Sequence, residues 1–408
     1  LVGFFVIGVL GRILDRPVTD SEVQTLSSAR KFWLAVTFSN LKISAKLLII
    51  LVLISASSVG LYGYFDYQAV KETLEKESFN KLTAVREMKA QQIESYFRSL
   101  NDLIVTFGQS DTAIEAAKGF RGAFKEVYEN VSLDSFTEKA LEKYYKNEFI
   151  SRLAPNVLNS SELDYRKFVS PNPATQYLQK KFIADNPYPT GEKHKFLKLG
   201  DGSSYDVSHT RFHPLFREIL ERFGFYDIFI VDPKDGYIVS SVFKEVDYGT
   251  SLLTGPYKDS NFATAYRMVI QNPKPGRAFL VDFEPYRPSY NAPASFMATP
   301  IFDGKELTGV AIFQMPIDRI NSIMTSNQSW SDVGLGESGE TYIVGEDFRM
   351  RNQSRFLIED SENYFSAIQN SGIPSETVKR IKAFNSTVGL QQVETVGTIA
   401  ALSGKTST

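Results

Sequence analysis

Residues 47–65, LLIILVLISASSVGLYGYF, restrict this chain more than any other stretch. They carry no charge, open with unbroken aliphatics over 47–54, and lie between Lys46 and Asp66. A hydrocarbon core about 30 Å thick needs roughly 20 apolar residues in a helix, because every backbone polar group must be satisfied within the segment. Adding Ile43, Ser44 and Ala45, with Lys46 reaching back toward the headgroups, supplies that length over residues 43–65. Tyr62, Tyr64 and Tyr67 stand where an interfacial aromatic belt belongs. A soluble core helix of this length would carry a polar face. A signal peptide would have a shorter apolar region, although Ser55, Ala56 and Ser57 imitate a cleavage site. The reading is a retained transmembrane helix. Arg12, Arg16, Arg30, Lys31, Lys42 and Lys46 precede it and a mixed, slightly acidic run follows, so the N-terminal flank is expected in the cytoplasm and everything after residue 65 outside.

Length and composition set the next limits. At 408 residues there is room for two or three domains, and 13% aromatic residues can fill their cores. A net charge of −2 gives no general field for nucleic acid. Cysteine is absent, which excludes disulfides, thiol nucleophiles and cysteine-based metal sites. Both ends read as cut. The apolar opening LVGFFVIGVL is too short to span a membrane and is either the end of an earlier membrane helix or a segment foreign to the fold, and residues 1–42 are expected to be cytoplasmic.

Residues 66–107 contain neither Pro nor Gly, and Ile93, Tyr96, Phe97, Leu100, Leu103, Ile104 and Phe107 recur at helical spacing. A single long helix follows, reaching about 60 Å at 1.5 Å per residue, either as a dimer stalk or packed on its own domain. Gly108 should end it, with Ser110 or Asp111 capping the next. Further helix is expected over 112–153, a breaker-rich loop over 155–189, and a short helix over 214–223, so that residues 66–223 form a stalk and helical region. At Gly224 the period changes. FYDIFIVD and YIVSSVF flank a PKDG turn, a helix is expected over 261–270, and three more strands follow over 278–283, 294–302 and 307–315, the last two joined at Asp303 and Gly304. Pro316 should open a helix ending near Met324. The fold class is therefore α+β, with a five-stranded antiparallel sheet over 224–325 bearing a helix and long loops on one face. After Gly339 the opening repeats as TYIVG, a turn and RMRNQSRF, so 335–408 reads as an incomplete second module.

Three runs carry a family likeness: FYDIFIVDPKDGYIVSSVFKEVDYGTSLLTGPYKDSN, AFLVDFEPYRPSYNAPASFMATPIFDGKELTGVAIFQMPIDRINSIM and GLGESGETYIVGEDFRMRNQSRF. With the preceding membrane helix and SFNKLTAVREMKAQQIESYF, they resemble the double Cache ectodomain of bacterial methyl-accepting chemotaxis proteins, two tandem PAS-like modules on a helical stalk. The likeness covers residue 41 to the end. It implies a receptor in the bacterial cell membrane, a small ligand entering the membrane-distal module, a homodimer, and a cytoplasmic chemotaxis kinase and adaptor reached through a C-terminal part beyond this chain. The same ectodomain heads adenylate or guanylate cyclases and histidine kinases, which is the alternative.

Tyr248, Tyr257, Asp282, Tyr286, Arg287 and Tyr290 are the candidate ligand-binding residues. Tyrosine supplies apolar wall and hydroxyl together, arginine grips a carboxylate bidentately, and aspartate accepts an ammonium. An amino acid or another small organic ion would suit this set. The competing reading has the tyrosines packing loops onto the sheet and the charges solvated. GLGESG over 334–339 matches a dinucleotide fingerprint only in letters, because it precedes a strand and reads as a linker. Gly404, Lys405 and Thr406 imitate a P-loop end, but Ile399 occupies the required glycine position. His209 and His213 are four apart without a third ligand nearby, so no metal is expected; no cofactor and no catalytic set emerge either.

Overall fold

The computed structural model of the chain describes residues 42–157 and 159–405. The expected cytoplasmic segment and the apolar opening lie outside the described residues, as do the last three. The chain divides into two units, Leu1–Asn80 and Lys81–Thr408.

In the first unit the apolar stretch belongs to helix α1, Ile43–Gln109, whose most apolar window has a mean hydropathy of 2.1 and is not buried at all. Leu48, Leu51, Leu53 and Ile54 are all exposed. The segment has the length and composition of a membrane span.

In the second unit α1 presents the expected stripe. Leu100, Ile104 and Phe107 are buried, with Tyr96, Phe97 and Leu103 packed beside them. Gly108 does not end the helix, which continues through Gln109. Its lack of a side chain serves packing, since a Cβ there would lie 2.7 Å from Thr299 Cγ2 and 3.1 Å from the Pro300 carbonyl. Ser110 then caps α2 (Asp111–Asn130), accepting from the Ala113 N–H at 3.2 Å. The buried face of α2 is mostly alanine, with Phe120 and Phe124, so the helix lies close on the sheet. Helix α3 (Ser135–Tyr144) continues into a π-helical turn over Tyr145–Ile150. Helix α4 (Pro173–Gln179) begins with proline at its first turn behind the Asn172 cap. Helix α5 (Ser204–Phe223) begins ten residues before the expected 214 and contains Pro214. The Ser203 cap starts it, and Tyr205, Phe212, Phe216 and Leu220 bury one continuous face that outweighs the proline.

The sheet comprises β1 (Asp227–Val231), β2 (Ile238–Ser241), β3 (Phe279–Tyr286), β4 (Ala292–Asp303) and β5 (Glu306–Gln314). All pairs are antiparallel, in the order β2-β1-β5-β4-β3. Side chains alternate between faces. On one face Phe107 meets Phe216 and Phe313, each at 5.2 Å between ring centroids, and Gly309 makes room for Ala117 of α2. On the other, α6 (Asn261–Gln271) sets Phe262 against Phe229 at 4.5 Å and Phe296 at 4.6 Å. That second face, with the loops after β2 and β3 folded over it, holds the polar interior.

After α7 (Ile317–Thr325) the expected second hairpin is reduced to isolated bridges, Val344 with Met350 and Arg349 with Gln392. The Asn352 side chain accepts the Ile343 N–H at 2.7 Å, where a ladder carbonyl would stand, and a two-stranded ribbon is marginal alone. Residues 334–339 are a turn pinned by Arg355, whose guanidinium donates to the Gly336 and Gly339 carbonyls at 3.0 and 2.8 Å. Helices α8 (Arg355–Glu359), α9 (Ser361–Asn370) and α10 (Ser375–Phe384) share a small core of Leu357, Tyr364, Ile368, Val378 and Ile381, and α11 (Val396–Leu402) follows.

Candidate functional site

Strand β1 opens with Asp227, opposite Gln314 of β5. Its Oδ1 accepts the N–H groups of Ile228, Val242 and Phe243 at 2.6, 2.9 and 2.9 Å, and its Oδ2 accepts the Ser241 hydroxyl at 2.7 Å. These bonds turn the chain sharply after β2. Burial outweighs them and raises the Asp227 carboxyl to about 6. The turn then carries Lys244, Glu245 and Asp247 inward; Lys244 has a φ of 64°, which few side-chain-bearing residues adopt.

Glu245 accepts the Tyr226 hydroxyl at 2.9 Å and the Ser289 hydroxyl at 2.7 Å. Burial, then the neighbouring Asp247, push its carboxyl up to about 8. Asp247 accepts the Tyr286 hydroxyl at 2.6 Å on Oδ2, and burial raises it to about 7. Among the described residues its Oδ1 is buried without a partner, as are the Tyr257 hydroxyl and Asn261 Oδ1. The Asn261 amide nitrogen is fixed by the Asp282 and Ala294 carbonyls at 2.9 and 2.7 Å, so the free atom is an acceptor.

Lys244 is 1% exposed and forms no ion pair among the described residues. Its ammonium lies 3.1 Å from the Val242 carbonyl and 3.3 Å from His213 Nδ1, and burial lowers it to about 7. His213 Nε2 donates to the His194 carbonyl at 2.7 Å, leaving Nδ1 as the acceptor for Lys244. His209 stacks on His213 at 4.3 Å and donates from Nδ1 to the Leu197 carbonyl at 2.9 Å. Burial holds both imidazoles well below their usual range, so they are neutral struts. A cavity of about 140 Å³ adjoins this interior, lined among others by Tyr144, Arg152, Lys193, Tyr226, Lys244, Glu245 and Tyr290, but not by Asp247 or Tyr257.

The six sequence-predicted residues divide. Tyr257 and Tyr286 come together, ring centroids 6.3 Å apart, beside Asp247. Tyr290 lines the small cavity. Tyr248 is fully buried, with its hydroxyl bonded to that of Tyr205. Asp282 turns away toward Arg351, which grips both its oxygens at 2.9 and 2.8 Å. Arg287 is exposed, 5.9 Å from the Phe168 ring, in a separate cleft. Asp227, Lys244, Glu245, Asp247 and Asn261 were missed by sequence reasoning. The one available signal was the placing of Lys244, Glu245 and Asp247 among Phe243, Val246 and Tyr248, which is denser in apolar side chains than a solvated loop.

The arrangement leaves hydrogen-bond acceptors unused in a buried interior walled by tyrosines. Compared with models of known protein families and with curated proteins, the chain matches none.

Proposed function

We propose that this chain is the sensor portion of a transmembrane receptor, holding a small amine-bearing ligand outside the membrane and signalling to a cytoplasmic output of the chemotaxis type. The unpartnered Asp247 Oδ1, buried beside the equally unpartnered Tyr257 hydroxyl, carries the reading. A buried acceptor without a donor is costly. A protonated amine supplies the missing hydrogen bond and favours the charged carboxylate, and the cavity lined by Tyr226, Glu245 and Tyr290 offers room for the remainder of the ligand. The exposed apolar segment of α1 supports the membrane location, with the sensor outside by the charge of its flanks. Its Cache-like sequence runs supply the analogy to chemoreceptors, and with it the dimer and the kinase partner. Ligand binding would bias two packings of the helices, by no more than its differential affinity for them.

The test is calorimetric titration of the detergent-solubilised chain with a panel of small amines and amino acids, against matched acids lacking the amine. Saturable binding confined to amines is expected, weakened about tenfold or more by Asp247→Asn, roughly 1.4 kcal/mol. Absence of amine binding, or undiminished binding by the variant, would refute the assignment.

A further inference from the structure

We propose that a second cleft, between residues 156–168, the β3–β4 turn and helix α10, is a binding site for a small oxyanion. The cleft has a volume of about 500 Å³ and shares no residue with the amine site. Three cations line it, Lys167, Arg287 and Arg380, and none forms an ion pair among the described residues. Its one acid, Asp164, is already committed: both oxygens accept from Arg166 Nε at 3.0 Å, and that neighbour holds the carboxyl below its ordinary value. Glu376, one turn earlier on α10, acts on Arg380 only at a distance, while Arg349 repels it.

Arg380 is the central observation. Its Nε and Nη2 are buried without any partner among the described residues. Those two atoms form one edge of the guanidinium, and their parallel N–H groups match two oxygens of a single carboxylate or phosphoryl group. Arginine cannot escape the mismatch by losing its proton. Arg287 brings a second positive charge across the gap, set against Phe168, and Lys167 a third. The walls are fixed in advance. The Asn156 amide donates to the Tyr290 carbonyl at 2.9 Å, and the Asn291 amide returns a bond to the Asn156 carbonyl at 2.8 Å. Tyr290 and Asn291 both hold left-handed backbone to make that reciprocal pair. The ligand is a small oxyanion bridging the sheet-bearing region and α10, so its occupancy ties the β3–β4 turn to the C-terminal helices.

The experiment titrates the full chain in detergent with sodium succinate, phosphate and sulfate at constant ionic strength set by chloride, read by calorimetry and thermal shift. Saturable binding of at least one anion is expected, weakened tenfold or more in Arg380→Met and severalfold in Arg287→Gln. Without anion, Arg380→Met should melt no lower than the parent, because it removes the unsatisfied, enclosed edge of a half-buried guanidinium. A preference for succinate assigns a carboxylate ligand, and for phosphate or sulfate a phosphoryl or sulfuryl one. No saturable binding beyond the chloride control, or unchanged affinity in Arg380→Met, overturns the proposal. Should that variant fail to fold, the double change Lys167→Gln and Arg287→Gln, at exposed positions, decides in the same way: full affinity overturns it.

Discussion

Asp227 offers the sharpest test of how the interior is held together. Replacing it with alanine strands the backbone N–H groups of Ile228, Val242 and Phe243, all now bonded to one carboxylate oxygen. At about 1–3 kcal/mol for each unsatisfied buried donor, with partial relaxation, Asp227→Ala should cost on the order of 3–6 kcal/mol. Asp227→Asn keeps an oxygen for those donors, and the Ser241 hydroxyl can turn to accept from the new amide. The two variants should differ most clearly in pH dependence. The folded carboxyl titrates near 6 and the unfolded one near 3.8. Between those values the folded state binds the extra proton, so stability is full below about pH 4, falls through pH 6 and is level above. A shift of about two units corresponds to about 3 kcal/mol. Asparagine mimics the neutral acid, so Asp227→Asn should match the parent near pH 4 and exceed it by up to about 3 kcal/mol above pH 6. Urea unfolding in detergent, followed by circular dichroism across pH 4–8, reads this directly. Glu245 and Asp247 add slope of their own, and because the Asp227 charge helps to raise both, the difference between parent and variant carries Asp227 first and a smaller shift of these neighbours after it. Parallel pH profiles, or an Asp227→Asn variant as unstable as Asp227→Ala, would refute the account.

Two further outcomes follow from packing and burial. Gly108→Val should lower stability by about 1–3 kcal/mol, because Cβ alone already meets Thr299 Cγ2 at 2.7 Å, and thermal unfolding checks it. Leu51→Arg should reduce the membrane-extractable fraction of the expressed chain, since arginine in the middle of a span costs about 2.5–3.5 kcal/mol, whereas a soluble helix with the same exposed position would be indifferent.

Most of the sheet was legible because its punctuation is local. The turn at Pro233 to Gly236, where Gly236 has a φ of 68°, and the Gly304 hairpin each specify their geometry within a few residues, and the strands beside them fell within two or three residues of expectation. Helix α5 was misread for the opposite reason. Pro214 is a local breaker within it, overruled by a buried face that only the folded sheet can reward. The site divides along the same line. Tyr257 and Tyr286 were reachable because tyrosine is suspect wherever it occurs in a loop. Asp247 and Glu245 were not, since nothing near them in sequence accounts for burying charge. Their partners, Tyr286 and Ser289, enter 39 and 44 residues later. Arg380 is the extreme case: on α10 alone it is one more basic residue, and only the chain brought against it from residues 156–168 leaves its guanidinium edge enclosed and unanswered. A buried group left without a partner announces nothing in sequence, because its isolation is decided by which distant segments fold around it.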